Sequence, residues 1–204
     1  MRYAENHKDE THKAILKVAA AQLRENGPDR ISVASVMKAA GLTHGGFYAH
    51  FKSKDALMIA ALHDTFARSR RRVSHLLDGL PPRRALATYI DFYVAQTHRD
   101  DPANGCPITA LNSDMPRQSK KFKAAFEDGV KGIIALNARL MRDAGIADAE
   151  QLAPSIFAAM AGAVSIARTI SDPALSNEFL ATTRTGIKAR LGLTDAALAS
   201  EKPN

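Results

Sequence analysis

Hydrogen-bonding and basic side chains are concentrated between residues 43 and 54 of the sequence. The stretch THGGFYAHFKSK holds a threonine, two histidines, a tyrosine, a serine and two lysines, and it has no acidic residue. Such groups bind phosphate oxygens and the edges of bases. The stretch is therefore a candidate polyanion-binding surface. Together with Ser32, which precedes it in the chain, the candidate contact residues are Thr43, His44, Gly45, Gly46, Tyr48, His50, Lys52 and Lys54.

The positive charge of the chain is concentrated in the same region. The 204 residues carry 28 Lys and Arg against 21 Asp and Glu, a formal net charge of +7. Residues 1–72 hold 13 of the basic and 7 of the acidic residues, a net +6, whereas residues 73–204 hold 15 and 14, a net +1. Double-stranded DNA is the expected partner of such a region, and a solubilising basic surface is the plain alternative.

Cys106 is the second candidate for chemistry, and it is the only cysteine in the sequence. One cysteine cannot form an intramolecular disulfide, so nothing in the chain requires an oxidising compartment. Pro107 predicts that a helix begins directly after Cys106, where a thiolate is favoured. We therefore weigh oxidation or adduct formation at this thiol against the more common role of a small residue before proline, which is to form a turn.

A thiol-dependent enzyme that uses Cys106 with a histidine such as His98 is the alternative class of function. The sequence has no nucleophile motif, no Gly-rich phosphate loop and no metal-ligand spacing, so we predict neither catalysis nor a cofactor nor a metal. The polar N-terminus lacks a secretory signal, and no uninterrupted apolar run approaches membrane-spanning length. We expect a soluble cytoplasmic protein with no membrane partner.

Helices must position these residues, because the sequence lacks the apolar alternation of strands. We predict an all-α fold in which residues 1–10 form a mobile arm and the tail after residue 193 is frayed. Pro154 is expected either to begin or to kink its helix. The predicted helices cover residues 11–26, 33–40, 43–51, 54 to beyond 73, 82–97, 107–115, 118–144, 150–171 and 174–191.

The short helices around residues 32–54 have recognisable caps and a recognisable core. Ser32, Thr43 and Ser53 are expected N-caps. Phe47 and Phe51 lie four residues apart on one helical face and are expected to pack inward, so the opposite face turns its polar groups toward solvent.

Residues 32–57, SVASVMKAAGLTHGGFYAHFKSKDAL, resemble the helix-turn-helix of the TetR/AcrR family of bacterial transcription regulators. The resemblance is specific in AGLT (40–43) and in GGFYAHFKSK (45–54). It implies a three-helix DNA-binding domain over residues 1–53 and a helical ligand-binding and dimerisation domain over residues 54–204.

The resemblance also implies roles for single residues. The positions of Thr43, Tyr48, His50 and Lys54 bind phosphates in the family, and those of His44 and Gly45 lie nearest the bases. Gly46 stands where many relatives carry a larger side chain.

A second local resemblance lies at residues 104–111, NGCPITAL, which are similar to the Gly-Cys loop of a subgroup of these regulators. Some members of that subgroup sense electrophiles or oxidants through a thiol. Candidate effector or redox residues are Cys106, Tyr89, Phe92, Tyr93, Phe122, Phe126 and Met160; candidate dimer-interface residues are Ala158, Ala161, Gly162, Ser165, Phe179, Thr183 and Ile187.

The resemblance to the TetR/AcrR family implies a homodimeric repressor that binds a palindromic operator. An unidentified small-molecule effector, or modification of the thiol, would release it. A DNA-binding protein without sequence preference is the other alternative.

Overall fold

A computed structural model describes the backbone of residues 2–199 and the side chains of residues 7–199. This part of the chain is helical and contains no strand, which confirms the all-α prediction. The α-helices are α1 (Arg2–Asn26), α2 (Val33–Ala39), α3 (Lys54–Leu77), α4 (Pro82–Tyr93), α5 (Gln96–Asp100), α6 (Pro107–Leu111), α7 (Lys120–Asp143), α8 (Ala149–Ala167), α9 (Pro173–Arg190) and α10 (Asp195–Ala199). Three short 3₁₀ helices cover His44–Ala49, Pro102–Asn104 and Met115–Arg117.

The helices form two compact units. The first unit contains the described residues up to Arg68 together with Pro102–Gly129, and the second contains Ser69–Asp101 and the described residues from Val130 onward. Helices α3 and α7 each contribute to both units. The predicted division at residues 53 and 54 concerns which part binds DNA and which part senses a ligand, and it stays a prediction.

The start of α1 differs from the prediction. The helix begins at Arg2, so the predicted mobile arm is wrong for residues 2–10, and residue 1 lies outside the described residues. Thr11 suggested a helix start because threonine favours the N-cap position. Its hydroxyl instead donates to the carbonyl of His7, 2.8 Å away, as a threonine inside a helix does.

Other helix boundaries also differ. The predicted helix over residues 82–97 is two helices, because the backbone leaves the helical conformation at Val94 (φ −94°, ψ 56°). Helix α8 starts before Pro154 and contains it. The tail predicted to fray forms α10, and residues 200–204 lie outside the described part.

Helix α8 is long and apolar enough to cross a membrane by length and composition, contrary to the expectation that no run approaches that length. A core helix of a soluble protein meets the same criteria, and 44% of the apolar window of α8 is buried. The apolar surface that remains exposed on α8 therefore needs its own explanation.

Candidate nucleic-acid interface

Helix α2 is held by a capping box at its first turn. The Ser35 amide donates to Ser32 Oγ at 3.0 Å, and the Ser32 amide donates to Ser35 Oγ at 3.2 Å. These two bonds satisfy backbone donors that a helix start leaves unpaired, and they confirm Ser32 as the N-cap. Val36 and Met37 then fall on the buried side of the helix.

A left-handed glycine ends α2 and turns the chain toward residues 43–54. Gly41 has φ +73°, which a side chain with Cβ adopts only with strain. Its amide donates to Lys38, and the Leu42 amide donates back to Met37 at 2.9 Å, which closes the helix end. The turn places Thr43 and His44 on the surface.

Residues His44–Ala49 form a 3₁₀ helix, so the predicted α-helix is wrong in type. The Gly46 amide donates to the Thr43 carbonyl and the His50 amide to the Phe47 carbonyl, both across three residues. Adjacent glycines favour α-helix poorly, and short 3₁₀ segments are common where an α-helix is not sustained. Thr43 precedes the segment, but its side chain makes no cap hydrogen bond.

Two phenylalanines anchor this segment in the core. Phe47 is 1% exposed and Phe51 is 6% exposed, and their ring centroids lie 5.9 Å apart. Both were predicted to be core residues, and this is confirmed. Burial of two aromatic rings fixes how the residues between them face solvent.

The opposite side of the segment is open to solvent. Tyr48 is 70% exposed, and its ring meets Phe47 edge-on at 5.2 Å. We call the exposed residues Thr43, His44, Gly45, Tyr48 and Lys52 the candidate surface. A buried ring that supports an exposed tyrosine gives the hydroxyl a defined position from which it can donate to a phosphate oxygen.

The two glycines of the segment differ in the space that surrounds them. A Cβ at Gly45 would meet nothing within 4 Å, and one at Gly46 would make ordinary contacts at 3.8 Å with Met37 and Thr43. Gly45 is exposed and Gly46 is half-buried. Packing within the chain therefore does not require glycine at either position.

Lys52, Ser53 and Lys54 lead into the N-terminus of α3. Ser53 Oγ accepts a hydrogen bond from the Ala56 amide at 3.1 Å, as predicted for a cap. Lys52 is exposed and Lys54 is half-buried in the first turn. The unpaired amides and the dipole of this 24-residue helix attract an anion to the same place.

His50 was predicted to point outward, but it is half-buried against α1. Its ring centroid lies 6.0 Å from that of His12, which in turn stacks on Phe51 at 4.6 Å. Burial lowers the pKa of His50, and the charges of His12 and Lys8 lower it further. This contact was not predicted, because His12 and His50 are 38 positions apart in the chain and nothing near either residue indicates the other.

The first unit also contains the segment around Cys106. Arg24 of α1 donates through Nε to the Ala103 carbonyl at 2.6 Å, and its Nη1 donates to Thr65 Oγ1 of α3 at 2.8 Å. Gln118 also donates to Asp29 at 3.1 Å. Residues 102–118 are thus bonded directly to the helix and loop that precede α2.

Cys106 occupies the predicted position before α6. It is the N-cap residue, Pro107 is the first helical residue, and the sulfur makes no cap hydrogen bond. The side chain is 5% exposed, and the Cys106 carbonyl accepts a hydrogen bond from Thr109 Oγ1 at 2.9 Å. A reagent must therefore open the local packing before it can reach the thiol.

Comparison with known proteins places both parts of the chain in one family. Residues 15–61 match the model of bacterial regulatory proteins of the tetR family, and residues 82–175 match the C-terminal domain of LmrA/YxaF-like transcriptional regulators. The chain belongs to the TetR family of bacterial transcriptional regulators. It is a DNA-binding regulator with an N-terminal helix-turn-helix.

Relatives in this family resemble most of the chain. The transcriptional repressor NemR of Escherichia coli K12 is 26% identical over 130 residues, which span 62% of this chain and 65% of NemR. The crystal structure of the reduced form of E. coli NemR matches this chain with a TM-score of 0.76 at 22% identity. The match covers 88% of this chain and 96% of the NemR chain. A regulator from Chloroflexus aurantiacus has a TM-score of 0.78 at 23% identity, covering 92% and 96%.

The candidate effector residues of this TetR-family protein are divided between the units. Cys106, Phe122 and Phe126 belong to the first unit, where Phe126 meets Phe66 edge-on at 6.1 Å. Tyr89, Phe92, Tyr93 and Met160 belong to the second. All are buried except Phe92, which is half-buried beneath the Arg72 guanidinium, 4.9 Å from the ring centroid.

Asn137 of α7 is a residue that the sequence analysis missed. It is fully buried in the second unit, and Nδ2 donates to the Ile133 carbonyl at 2.9 Å and to the Tyr89 hydroxyl at 3.3 Å. A buried asparagine is uncommon. The only sign of this role in the sequence is that Asn137 is polar at a helical position where α7 otherwise places apolar residues toward the core.

The candidate dimer residues occupy two environments. Ala161 and Ile187 are 7% and 5% exposed, so they pack inside the second unit. Ala158 is exposed, and Gly162, Ser165, Phe179 and Thr183 are half-buried on the outer sides of α8 and α9. Ile166 and Leu175, which are 49% and 51% exposed, lie on the same helices and were not predicted.

The alternative enzyme interpretation would pair Cys106 of the first unit with a histidine such as His98. His98 lies in the second unit, where its Nδ1 is 2.7 Å from the Tyr93 carbonyl and its ring meets Tyr93 edge-on. Within residues 2–199, no group of three or more His, Cys, Asp and Glu could hold a metal ion. The relatives are transcriptional regulators.

Proposed function

We propose that this regulator is a cytoplasmic repressor that binds a palindromic operator as a homodimer and is released by a small-molecule effector or by modification of Cys106. The observation that carries the DNA contact is the 70% exposure of Tyr48 on a segment whose neighbouring rings are buried. The Tyr48 hydroxyl is accessible to a partner molecule and suits a phosphate oxygen.

We assign the contacts by their chemistry. Tyr48, Thr43 and Lys52 donate to phosphates, and Lys54 joins them at the start of α3 because the helix dipole also favours an anion there. His44 is the exposed side chain best suited to a base edge, and Gly45 leaves room for the backbone to approach. His50 contributes through its contact with α1 rather than by projecting outward.

A second copy of the chain is our proposed partner for the exposed side of α8 and α9. Helix α8 has no charged residue after Glu150, yet Ala158 and Ile166 are exposed. Leu175 of α9 is also exposed. Two-fold DNA recognition requires a symmetric pair, and small residues allow helices to approach closely.

We infer that release through Cys106 acts by way of α1. A bulky adduct on a side chain that is 5% exposed must displace its surroundings. Ala103 is three residues away in the chain and accepts hydrogen bonds from Arg24 of α1. Loss of that contact removes one restraint on the helix that packs against the helix-turn-helix, and it thereby shifts the population of binding-competent molecules.

The decisive experiment is fluorescence anisotropy of the full chain with DNA from upstream of its own gene and with a scrambled duplex, at several salt concentrations. A large affinity ratio between the two duplexes supports the operator proposal. Equal affinities with a steep salt dependence would instead support a DNA-binding protein without sequence preference.

Three variants separate the roles of the candidate surface and of Lys54 beside it. Tyr48→Phe and Lys54→Ala should weaken binding to every duplex. Lys54→Ala should also reduce the slope of log affinity against log salt concentration by about one, because one phosphate contact is lost. His44→Ala should change the preference among operator variants. Lys123→Ala, which removes an exposed lysine of α7 in the same unit, is the matched control and should bind as the wild type does.

The dimer and the thiol have separate tests. Ile166→Glu should produce monomers in analytical ultracentrifugation and lower operator affinity, because it places charge on the apolar area.

Treatment with N-ethylmaleimide should release operator DNA from the wild type and not from Cys106→Ser. If Cys106→Ser were released equally, the thiol route would be wrong.

A further inference from the structure

Asn137 leaves one hydrogen-bonding group unused in the interior of the second unit. Both described bonds of this side chain come from Nδ2, to Ile133 and to Tyr89. Its Oδ1 is buried and accepts no hydrogen bond from any described residue. Nearly all buried polar atoms in proteins have a partner, so this acceptor calls for one.

The orientation of the amide is fixed by its neighbour. Oxygen and nitrogen of an asparagine amide are assigned from the hydrogen bonds they make. If Asn137 were turned over, its oxygen would face the Ile133 carbonyl, which is an acceptor and lies 2.9 Å from Nδ2. The amide oxygen is therefore the atom left without a partner.

Aromatic rings continue from this acceptor through the second unit. The Tyr89 and Tyr93 centroids lie 6.1 Å apart, and Tyr93 meets Phe157 edge-on at 5.7 Å. His98 adjoins Tyr93 at 4.7 Å, and burial lowers the pKa of His98 to about 4, so its imidazole is neutral at pH 7. These rings favour an uncharged planar molecule.

We propose that the second unit binds a neutral, largely apolar ligand with an O–H or N–H donor, such as a phenol, and that Asn137 Oδ1 accepts its hydrogen. This inference rests on the proposed effector-regulated function and gives the effector a chemical class. The ligand must part packed rings to reach the acceptor. Its binding is therefore coupled to the packing of α4 against α7, which is the property a sensor needs.

The test uses 1-naphthol and 1-methoxynaphthalene, which share a ring system and differ in the donor. The chain has no tryptophan, so naphthalene fluorescence can be followed directly on addition of the full protein. We expect the wild type to bind 1-naphthol about tenfold more tightly than its methyl ether, since the ether leaves the acceptor unpaired. Asn137→Leu should bind the two compounds equally.

The matched control is Asn177→Leu, which removes an asparagine of the same unit whose Oδ1 already accepts from Arg99 at 2.7 Å. This variant should keep the preference of the wild type. Equal affinities in the wild type, no binding of either compound, or a preference that survives Asn137→Leu would each overturn the proposal.

A crystal structure of the wild type with 1-naphthol tests the same contact if Asn137→Leu does not fold. The naphthol oxygen should lie within 3.2 Å of Asn137 Oδ1, by ordinary hydrogen-bond geometry. A water held at Oδ1 and not displaced by naphthol would overturn the proposal. Operator binding is measured separately by anisotropy. Selective operator binding without a preference for 1-naphthol would contradict only the ligand proposal. A preference for 1-naphthol without operator selectivity would contradict only the repressor proposal.

Discussion

Two regions of this TetR-family regulator, one in each unit, place their polar groups in opposite ways. In the first unit, Phe47 and Phe51 are buried and the hydrogen-bonding side chains around Tyr48 face solvent. In the second unit, Asn137 and the Tyr89 hydroxyl lie inside the aromatic core. An exposed polar surface suits a large charged partner, whereas an enclosed polar atom suits a small molecule that can enter the core.

This difference also predicts that substitutions of polar residues affect folding stability differently in the two regions. The candidate surface is supported from below by apolar packing, so its polar groups can be exchanged with little effect on folding. The buried polar atoms of Asn137 and Tyr89 are part of the packing of the second unit, so substitution of either residue alters stability and binding together.

The largest effect is expected for Phe47→Ala in the first unit. Removal of a ring that is 1% exposed should lower the free energy of unfolding by about 3–5 kcal/mol, measured by urea denaturation. Its neighbour provides the control, because Tyr48→Ala removes a ring that is 70% exposed and should cost less than about 1 kcal/mol. Equal losses would mean that the segment is not supported from below.

A pH-dependent effect is expected in the second unit. The pKa of His98 in the folded chain is about 4, lowered from 6.5 chiefly by burial. The unfolded chain therefore takes up a proton between pH 6.5 and 4 that the folded chain does not. The free energy of unfolding should fall by about 2–3 kcal/mol as the pH is lowered through that window.

Thermal unfolding of His98→Asn checks this expectation. Asparagine keeps a donor in place of Nδ1, which is 2.7 Å from the Tyr93 carbonyl, and it has no titrating group in this range. The wild type should lose stability relative to the variant between pH 7 and pH 4. Parallel pH profiles would show that the imidazole is not held neutral by the fold.

Helix α7 allows the two units to be compared within one helix. A Cβ at Gly129 would overlap the Phe66 ring in the first unit, whereas one at Gly132 would lie 3.6 Å from the Arg70 guanidinium in the second. Gly129→Ala should cost about 1–3 kcal/mol through overpacking. Gly132→Ala should instead stabilise by about 0.5–1 kcal/mol, since glycine is the weaker helix former.

Denaturation of both variants and of the double variant Gly129→Ala, Phe66→Leu decides the cause. Leucine removes the ring edge, so it should recover part of the loss, and the two substitutions should not be additive. If both glycine variants were equally destabilised, backbone conformation rather than the Phe66 contact would be responsible.

The features that the sequence predicted well are those with a local cause. Ser32 and Ser53 cap helices through hydrogen bonds three residues away, and Phe47 and Phe51 follow from helical spacing. The 3₁₀ form of residues 44–49 was missed because helical spacing and glycine content favour different local structures. Periodicity alone does not decide between them.

The features that were missed depend on distant parts of the chain. Arg24 bonds to Ala103, 79 positions away, and nothing near either residue indicates the other. Asn137 pairs with Tyr89 across 48 positions in the same way. Such contacts are set by how helices pack, so the sequence indicated the all-α fold but not the polar groups that connect the helices.

The smallest effect separates folding from DNA binding within the first unit. Ser32→Ala removes the hydroxyl that accepts from the Ser35 amide and leaves the Ser32 backbone amide in place, and it should cost about 1 kcal/mol in urea denaturation. Thr43→Ala removes a side chain that makes no cap hydrogen bond, so stability should change by less than about 0.5 kcal/mol. Its operator affinity should nevertheless fall, because Thr43 is exposed beside Tyr48 on the candidate surface. If Thr43→Ala bound operator DNA as tightly as the wild type, the candidate surface would begin at His44, and the contrast between a supporting cap and an exposed contact would hold only for residues after it.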